Sequence, residues 1–141
     1  MPHIQLQISG NASARSAQAV AHISALTAEL LGKDPALISV ALQHIPASDW
    51  FVAGQSLQAL EQSAFHLCIT ITDETNTKAE KAAYLQAVYN TMAALFERLH
   101  PVSYAHIVDA RATAYGYGGL SQEFRYQQAQ MERTSAATVP S

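Results

Sequence analysis

The chain has 141 residues with 8 basic and 11 acidic side chains, a formal net charge of −3. That length implies one compact domain. A near-neutral balance without clustered Lys and Arg excludes a binder of nucleic-acid backbones. Charged residues make up 13%, about half the usual quarter, so burial by self-association is expected.

No apolar stretch approaches the roughly 20 residues that a membrane span needs. Met1-Pro2-His3-Ile4-Gln5 lacks the basic-then-apolar order of a secretory signal. The single cysteine, Cys68, rules out an internal disulfide framework and fits a reducing compartment, with the cytoplasm as the default.

Residues 2–8 alternate, with Ile4, Leu6 and Ile8 set against His3, Gln5 and Gln7, which predicts a strand packed on one face. Ser9-Gly10-Asn11 is turn chemistry. From Ser13 to Leu31 the chain is Ala-rich without Gly or Pro, and Val20, Ile23, Leu26, Leu30 and Leu31 form one helical stripe. Gly32 suits the helix C-cap and Pro35 keeps the helix from resuming. Residues 37–45 alternate again, and Pro46-Ala47-Ser48-Asp49 ends that strand. Strand, helix, strand with short links makes a βαβ unit whose strands run parallel.

The order then repeats. His66 to Thr72 predicts a strand packed through Leu67, Ile69 and Ile71. Thr77-Lys78-Ala79-Glu80 matches a capping box, and its helix is expected to reach about Leu99, before His100-Pro101, with Leu85, Val88, Met92, Leu95, Phe96 and Leu99 buried. Residues 102–109 read as the fourth strand. In Ala114-Tyr115-Gly116-Tyr117-Gly118-Gly119 the glycines permit a tight or bulged backbone. Ile4–Ile8 overlays Leu67–Ile71, Ile38–Ala41 overlays Val102–Ala105, and Trp50–Gly54 overlays Ala114–Gly118. The expected fold is α+β: two βαβ repeats (about 1–58 and 64–120) in one domain spanning 1–126. They form a four-stranded mixed sheet with both helices on one face and the other face open to another subunit. Residues 127–141, polar and without period, read as a mobile tail or a segment that docks on a neighbour.

Pro2 is the unusual residue. Loss of Met1 would leave a secondary amine at the first position of a strand, where proline is tolerated. Terminal amines have reference pKa values of about 7.7–8.0, and burial lowers them further. Such an amine is a general base or an iminium-forming nucleophile. Met-Pro is a common start, and its plain reading is a processed terminus; its place at the head of a doubled βαβ unit gives it weight. On these residues the chain resembles the tautomerase superfamily. Met1–Ile4, Ile38–Ile45 and Trp50 look like its 4-oxalocrotonate tautomerase-like branch. The doubled unit over about residues 2–120 looks like its macrophage migration inhibitory factor-like branch.

The resemblance implies a homotrimer with active sites at subunit interfaces and Pro2 as catalytic base, Phe65 standing at the equivalent place in the second unit. It implies Tyr104, from a neighbouring subunit, as a second catalytic residue, and Lys33, in Gly32-Lys33-Asp34-Pro35, as the anion binder. His106, Trp50, Phe51 and Tyr115 fall on pocket positions. Each has a plain structural alternative: the helix macrodipole for Lys33, subunit packing for Tyr104, Trp50 and Tyr115, an ordinary strand histidine for His106. Arg111, after the fourth strand, offers a bidentate fork in place of the arginines that 4-oxalocrotonate tautomerase has and this chain lacks. Where dehalogenase and decarboxylase relatives place arginines after the third strand, this chain has Asp73, Glu74 and Asn76.

The expected function is therefore cofactor-independent keto–enol tautomerisation of a 2-keto or enol carboxylic acid of the phenylenolpyruvate type. The alternatives are a catalytically silent trimeric scaffold or regulator, and a dehalogenase or hydratase of an unsaturated acid. The six histidines have no metal-ligand spacing, so no metal is expected. Nor is a nucleic-acid or membrane partner.

Overall fold

The computed structural model describes residues 1–138. The elements, in order, are β1 (His3–Ser9), α1 (Ala14–Leu31), β2 (Ser39–Ile45), β3 (Phe51–Val52), β4 (Gln55–Ser56), α2 (Leu57–Leu60), β5 (Phe65–Thr72), α3 (Lys78–Leu95), β6 (Tyr104–Ala110), β7 (Gly116–Tyr117), β8 (Leu120–Ser121) and α4 (Gln122–Thr138). The main sheet has the order β2-β1-β5-β6, with β1 parallel to β2, β5 antiparallel to β1, and β6 parallel to β5. Strands β3-β4 and β7-β8 are short hairpins, one at the end of each βαβ unit. The α+β architecture expected from the doubled pattern is the one observed. No helix among the described residues is long and apolar enough to cross a membrane.

The alternation in β1 and β5 sends Ile4, Leu6, Ile8, Phe65, Leu67, Ile69 and Ile71 to one face, all buried. Ala19, Ile23 and Leu31 of α1 and Tyr84, Val88 and Met92 of α3 cover them. Burial of such side chains is the main favourable term in folding, about 1.5–3 kcal/mol each. Thr27 and Tyr84, buried with them, share a hydrogen bond at 2.8 Å, and Thr27 also donates to the Ile23 carbonyl at 2.7 Å. Burial pushes the Tyr84 phenol up to about 12, against the opposing bond from Thr27. Gly32 ends α1 in the left-handed region (φ 66°), and the Thr77–Glu80 capping box opens α3 with both reciprocal bonds present.

Four expectations need correction. Helix α3 stops at Leu95, short of Leu99. Ser63 takes over the next residues: its N–H and hydroxyl donate to the carbonyls of Arg98 and Glu97, and its carbonyl accepts the N–H of His100 at 2.7 Å. Strand β6 starts at Tyr104 because Val102 and Ser103 are engaged in turn bonds to His100. The repeat overlay slips by one residue past α3. His3 pairs with Ser39 while His66 pairs with Tyr104, so Ser39 corresponds to Tyr104 and Trp50 to Tyr115. A one-residue slip exchanges the two faces of a strand: Ala105 and Ile107 pack on the core and Tyr104 is 69% exposed. Finally, residues 127–138 belong to α4. The segment 122–138 holds Gln, Glu, Arg, Ala and Met, good helix formers, and no Gly or Pro. Residues 139–141 of the expected tail lie outside the described residues.

The sheet face away from α1 and α3 carries Gln5, Gln7, Ala41, Gln43, His66, Tyr104, His106 and Val108. His66 and His106 stack with ring centroids 5.1 Å apart, and His66 Nδ1 also meets Gln7 Oε1 at 3.0 Å. Burial first, and then the neighbouring His106, lowers the His66 pKa. The unfolded chain thus takes up a proton here more readily than the folded one, and stability declines as pH drops below about 6.5. Thermal melts from pH 7 to pH 5 should show a falling midpoint, with a shallower fall in His106→Gln; identical slopes would refute this coupling.

Candidate active site

Pro2 is buried at the head of β1, and its carbonyl accepts the N–H of Ser39 at 3.2 Å. Antiparallel pairing of β1 with β5 brings the far end of the second βαβ unit to this point. The cavity here, about 420 Å³, is lined by Met1, Pro2, Leu37, Ile38, Tyr115 and Tyr117, among others.

Tyr115 closes the site. Its hydroxyl accepts the N–H of His3 at 3.2 Å. It directs its own proton at two carbonyls, Met1 at 2.5 Å and Thr70 at 3.0 Å. The Met1 carbonyl belongs to the amide whose nitrogen is that of Pro2. Burial raises the Tyr115 pKa, against the His3 bond, so this phenol is a donor at neutral pH. Its position depends on the β7-β8 hairpin, whose turn residues Gly118 and Gly119 both have positive φ (61° and 82°), the backbone of the tightest hairpins. Arg125 of α4 braces the neighbouring wall, its guanidinium 3.8 Å over the Tyr117 ring and donating to the Tyr117 carbonyl at 3.0 Å.

Lys33 follows the α1 C-cap, and its ammonium donates to Thr75 Oγ1 at 2.9 Å. Burial lowers its pKa, while the carboxylates of Glu80 and Asp109 hold it up. The chain's amine feels Lys33: burial is the first cause that lowers its pKa and the Lys33 cation the second, with Asp34 opposing. Asp73, Glu74 and Asn76 form a tight turn beside it. Asp73 accepts the Glu74 N–H at 2.9 Å, and Asn76 donates to the Leu31 carbonyl at 3.0 Å, tying the turn to the end of α1.

Within one chain Trp50, Phe51, Tyr104 and His106 stand apart. Trp50 and Phe51 follow β2, near the Ser9 end of β1, about 20 Å from Pro2 by strand rise. Phe51 is 60% exposed. Tyr104 pairs with His66, four residues along β5 from the Thr70 that faces His3. His106 stacks on His66. Arg111 precedes the short 3₁₀ turn at Ala112–Ala114, with its side chain exposed. The sequence reading did not single out Ile38, Leu37 or Tyr117. Tyr117 had a visible signal, a second aromatic within the glycine cluster; the other two read only as strand residues.

A mixed β2-β1-β5-β6 sheet built from two βαβ units is the fold that this chain shares with solved tautomerase-type structures. The chain is similar to the solved structure of Pt0534 inactivated by 2-oxo-3-pentynoate, at 18% identity and a TM-score of 0.76, covering 87% of this chain and 98% of that one. It is similar to the fused 4-OT wild-type symmetric trimer, at 19% identity and a TM-score of 0.70, covering 86% and 96%. It is also similar to a macrophage migration inhibitory factor-like protein from Entamoeba histolytica, at 10% identity and a TM-score of 0.66, covering 85% and 97%. No family model and no curated protein matches the chain.

Proposed function

We propose that this protein is a keto–enol tautomerase of the tautomerase superfamily, acting on a 2-keto or enol monocarboxylic acid of the phenylenolpyruvate type. The observation that carries this reading is the burial of Pro2 in a cavity beside the Tyr115 hydroxyl, which is bonded to the amide oxygen of the Met1–Pro2 peptide. Removal of Met1 turns that amide nitrogen into a secondary amine in apolar surroundings, where the neutral form is favoured.

The amine nitrogen takes the proton from the enol hydroxyl. The electron pair of that O–H bond forms the carbonyl, and the enol double bond reaches out to C3. The ammonium of Pro2 then delivers its proton to C3, which yields the ketone and regenerates the neutral amine. Tyr115, a neutral donor, stabilises the oxygen on which charge builds up. Lys33 holds the carboxylate. Leu37, Ile38 and Tyr117 suit a flat apolar substituent. Tyr104, Trp50, Phe51 and His106 enter this reading only from a second copy, seated on the open sheet face of a homotrimer. The low charge content and that uncovered face support such an assembly.

The test is ketonisation of phenylenolpyruvate by protein whose first residue is verified as Pro2 by intact mass. Turnover above buffer is expected, and its absence would overturn the reading. Lys33→Met should raise KM about tenfold for the free acid and leave KM for its methyl ester unchanged. Protein that keeps Met1 has an amide at Pro2, its oxygen held by Tyr115, and is the silent form of the same fold.

A further inference from the structure

One of the two donors to Met1 comes from α4. Gln122 is the first residue of α4. Its backbone N–H donates to the Tyr115 carbonyl at 2.7 Å, which fixes it to the residue whose hydroxyl holds the Met1 carbonyl. Its side-chain Nε2 donates to Met1 Sδ at 3.0 Å in a partly buried setting. A thioether is a weak acceptor, so this amide is poorly satisfied where it is. Met1 is therefore gripped at two points, its carbonyl oxygen by Tyr115 and its sulfur by Gln122.

From this geometry we infer that Gln122 is a substrate-binding residue, whose Nε2 donates to an oxygen of the bound 2-keto or enol acid in the volume that Met1 fills. The inference rests on the reading of Pro2 as a freed amine. Loss of Met1 takes away one acceptor from Tyr115 and one from Gln122. A 2-keto acid carries oxygens on two adjacent carbons, and the two donors meet a carbonyl or enol oxygen and a carboxylate oxygen. Arg125 lies one helical turn after Gln122, on the same side of α4. Its guanidinium, held over Tyr117, keeps positive charge behind the wall of the same cavity. A neutral amide thus supplies directional recognition in a site flanked by the cations Lys33 and Arg125.

The experiment uses the full chain with Pro2 verified as the first residue. It compares wild type, Gln122→Ala and Gln122→Glu, with phenylenolpyruvate for kinetics and phenylpyruvate for binding by calorimetry. Gln122→Ala should raise KM and the phenylpyruvate Kd about tenfold and change kcat by less than about threefold. Gln122→Glu, which puts a carboxylate against the acid, should weaken binding further. Thermal melts should match wild type, because the backbone bond to Tyr115 survives both changes. Wild-type Kd and KM in both variants overturn the role of Gln122 and leave the tautomerase reading standing. Gln122-dependent binding without turnover in any chain keeps the role of Gln122 and overturns the tautomerase reading. A wild-type chain that neither binds nor turns over overturns both.

Discussion

An N-terminal extension that keeps the Pro2 nitrogen in an amide should lower phenylenolpyruvate ketonisation by about 100- to 10,000-fold, the usual worth of a positioned general base. Pro2→Ala, which leaves a primary amine after processing, should cost about 100-fold, near the lower end of that range. The difference between the two variants is chemical. An amide nitrogen cannot take up the enol proton at all. An alanine amine can, but it rotates freely and loses the fixed orientation of the ring. Neither change should unfold the protein. The Pro2 backbone contributes its carbonyl to Ser39, which Ala retains, and the ladder of β1 starts at His3. The measurement is kcat on mass-verified protein beside a thermal melt. Full turnover in both variants would show that some other group moves the proton.

Gly116→Ala should damage both stability and activity. A Cβ at this position would collide with the carbonyl oxygen of Leu120, and would lie 2.7 Å from both the Leu120 carbonyl carbon and Ser121 Cα. These are backbone atoms of the facing strand, because Gly116 pairs with Ser121 in the β7-β8 hairpin. They cannot swing away as a flexible side chain would. The hairpin must open, at a cost of about 1–3 kcal/mol typical of forced overpacking, lowering the melting midpoint by several degrees. Opening displaces Tyr115 on one side of Gly116 and Tyr117 on the other, so both walls of the Pro2 cavity shift. A fall of about tenfold or more in kcat/KM should accompany the loss of stability, since a catalytic donor misplaced by an ångström loses much of its effect. A variant with the melting curve and turnover of wild type would mean that the hairpin does not position the site.

Much of this architecture is legible in the residues themselves. Strict alternation in β1 and β5, the stripe of α1, the left-handed Gly32 and the Thr77–Glu80 box are all local devices, and each acts at its expected position. Two departures depend on partners distant in the chain. The end of α3 depends on Ser63, more than 30 residues earlier in the chain, which competes for the backbone groups of residues 97–100. The one-residue slip of the second unit depends on which residue of β6 lies opposite His66, and alternation alone cannot say which. Helix α4 has a weak apolar stripe, so propensity had to be weighed without the help of a packed face.

The site divides in the same way. Pro2 stands out from sequence because a proline at the head of a strand is a short-range pattern, and Lys33 because the turn Gly32–Pro35 resembles one in the tautomerase superfamily. Tyr115 was visible as an aromatic in a glycine-rich turn, yet its partner was not. It meets Met1 across a separation of 114 residues, and Gln122 meets it across 121. Local chemistry therefore determined the strands, the helices, their caps and the doubled unit, because hydrophobic period and capping act within a few residues. Only the tertiary structure decided that the second hairpin, and not the first, closes over Pro2 within the chain. The antiparallel seam between β1 and β5 is the reason: it sets the end of one repeat against the beginning of the other.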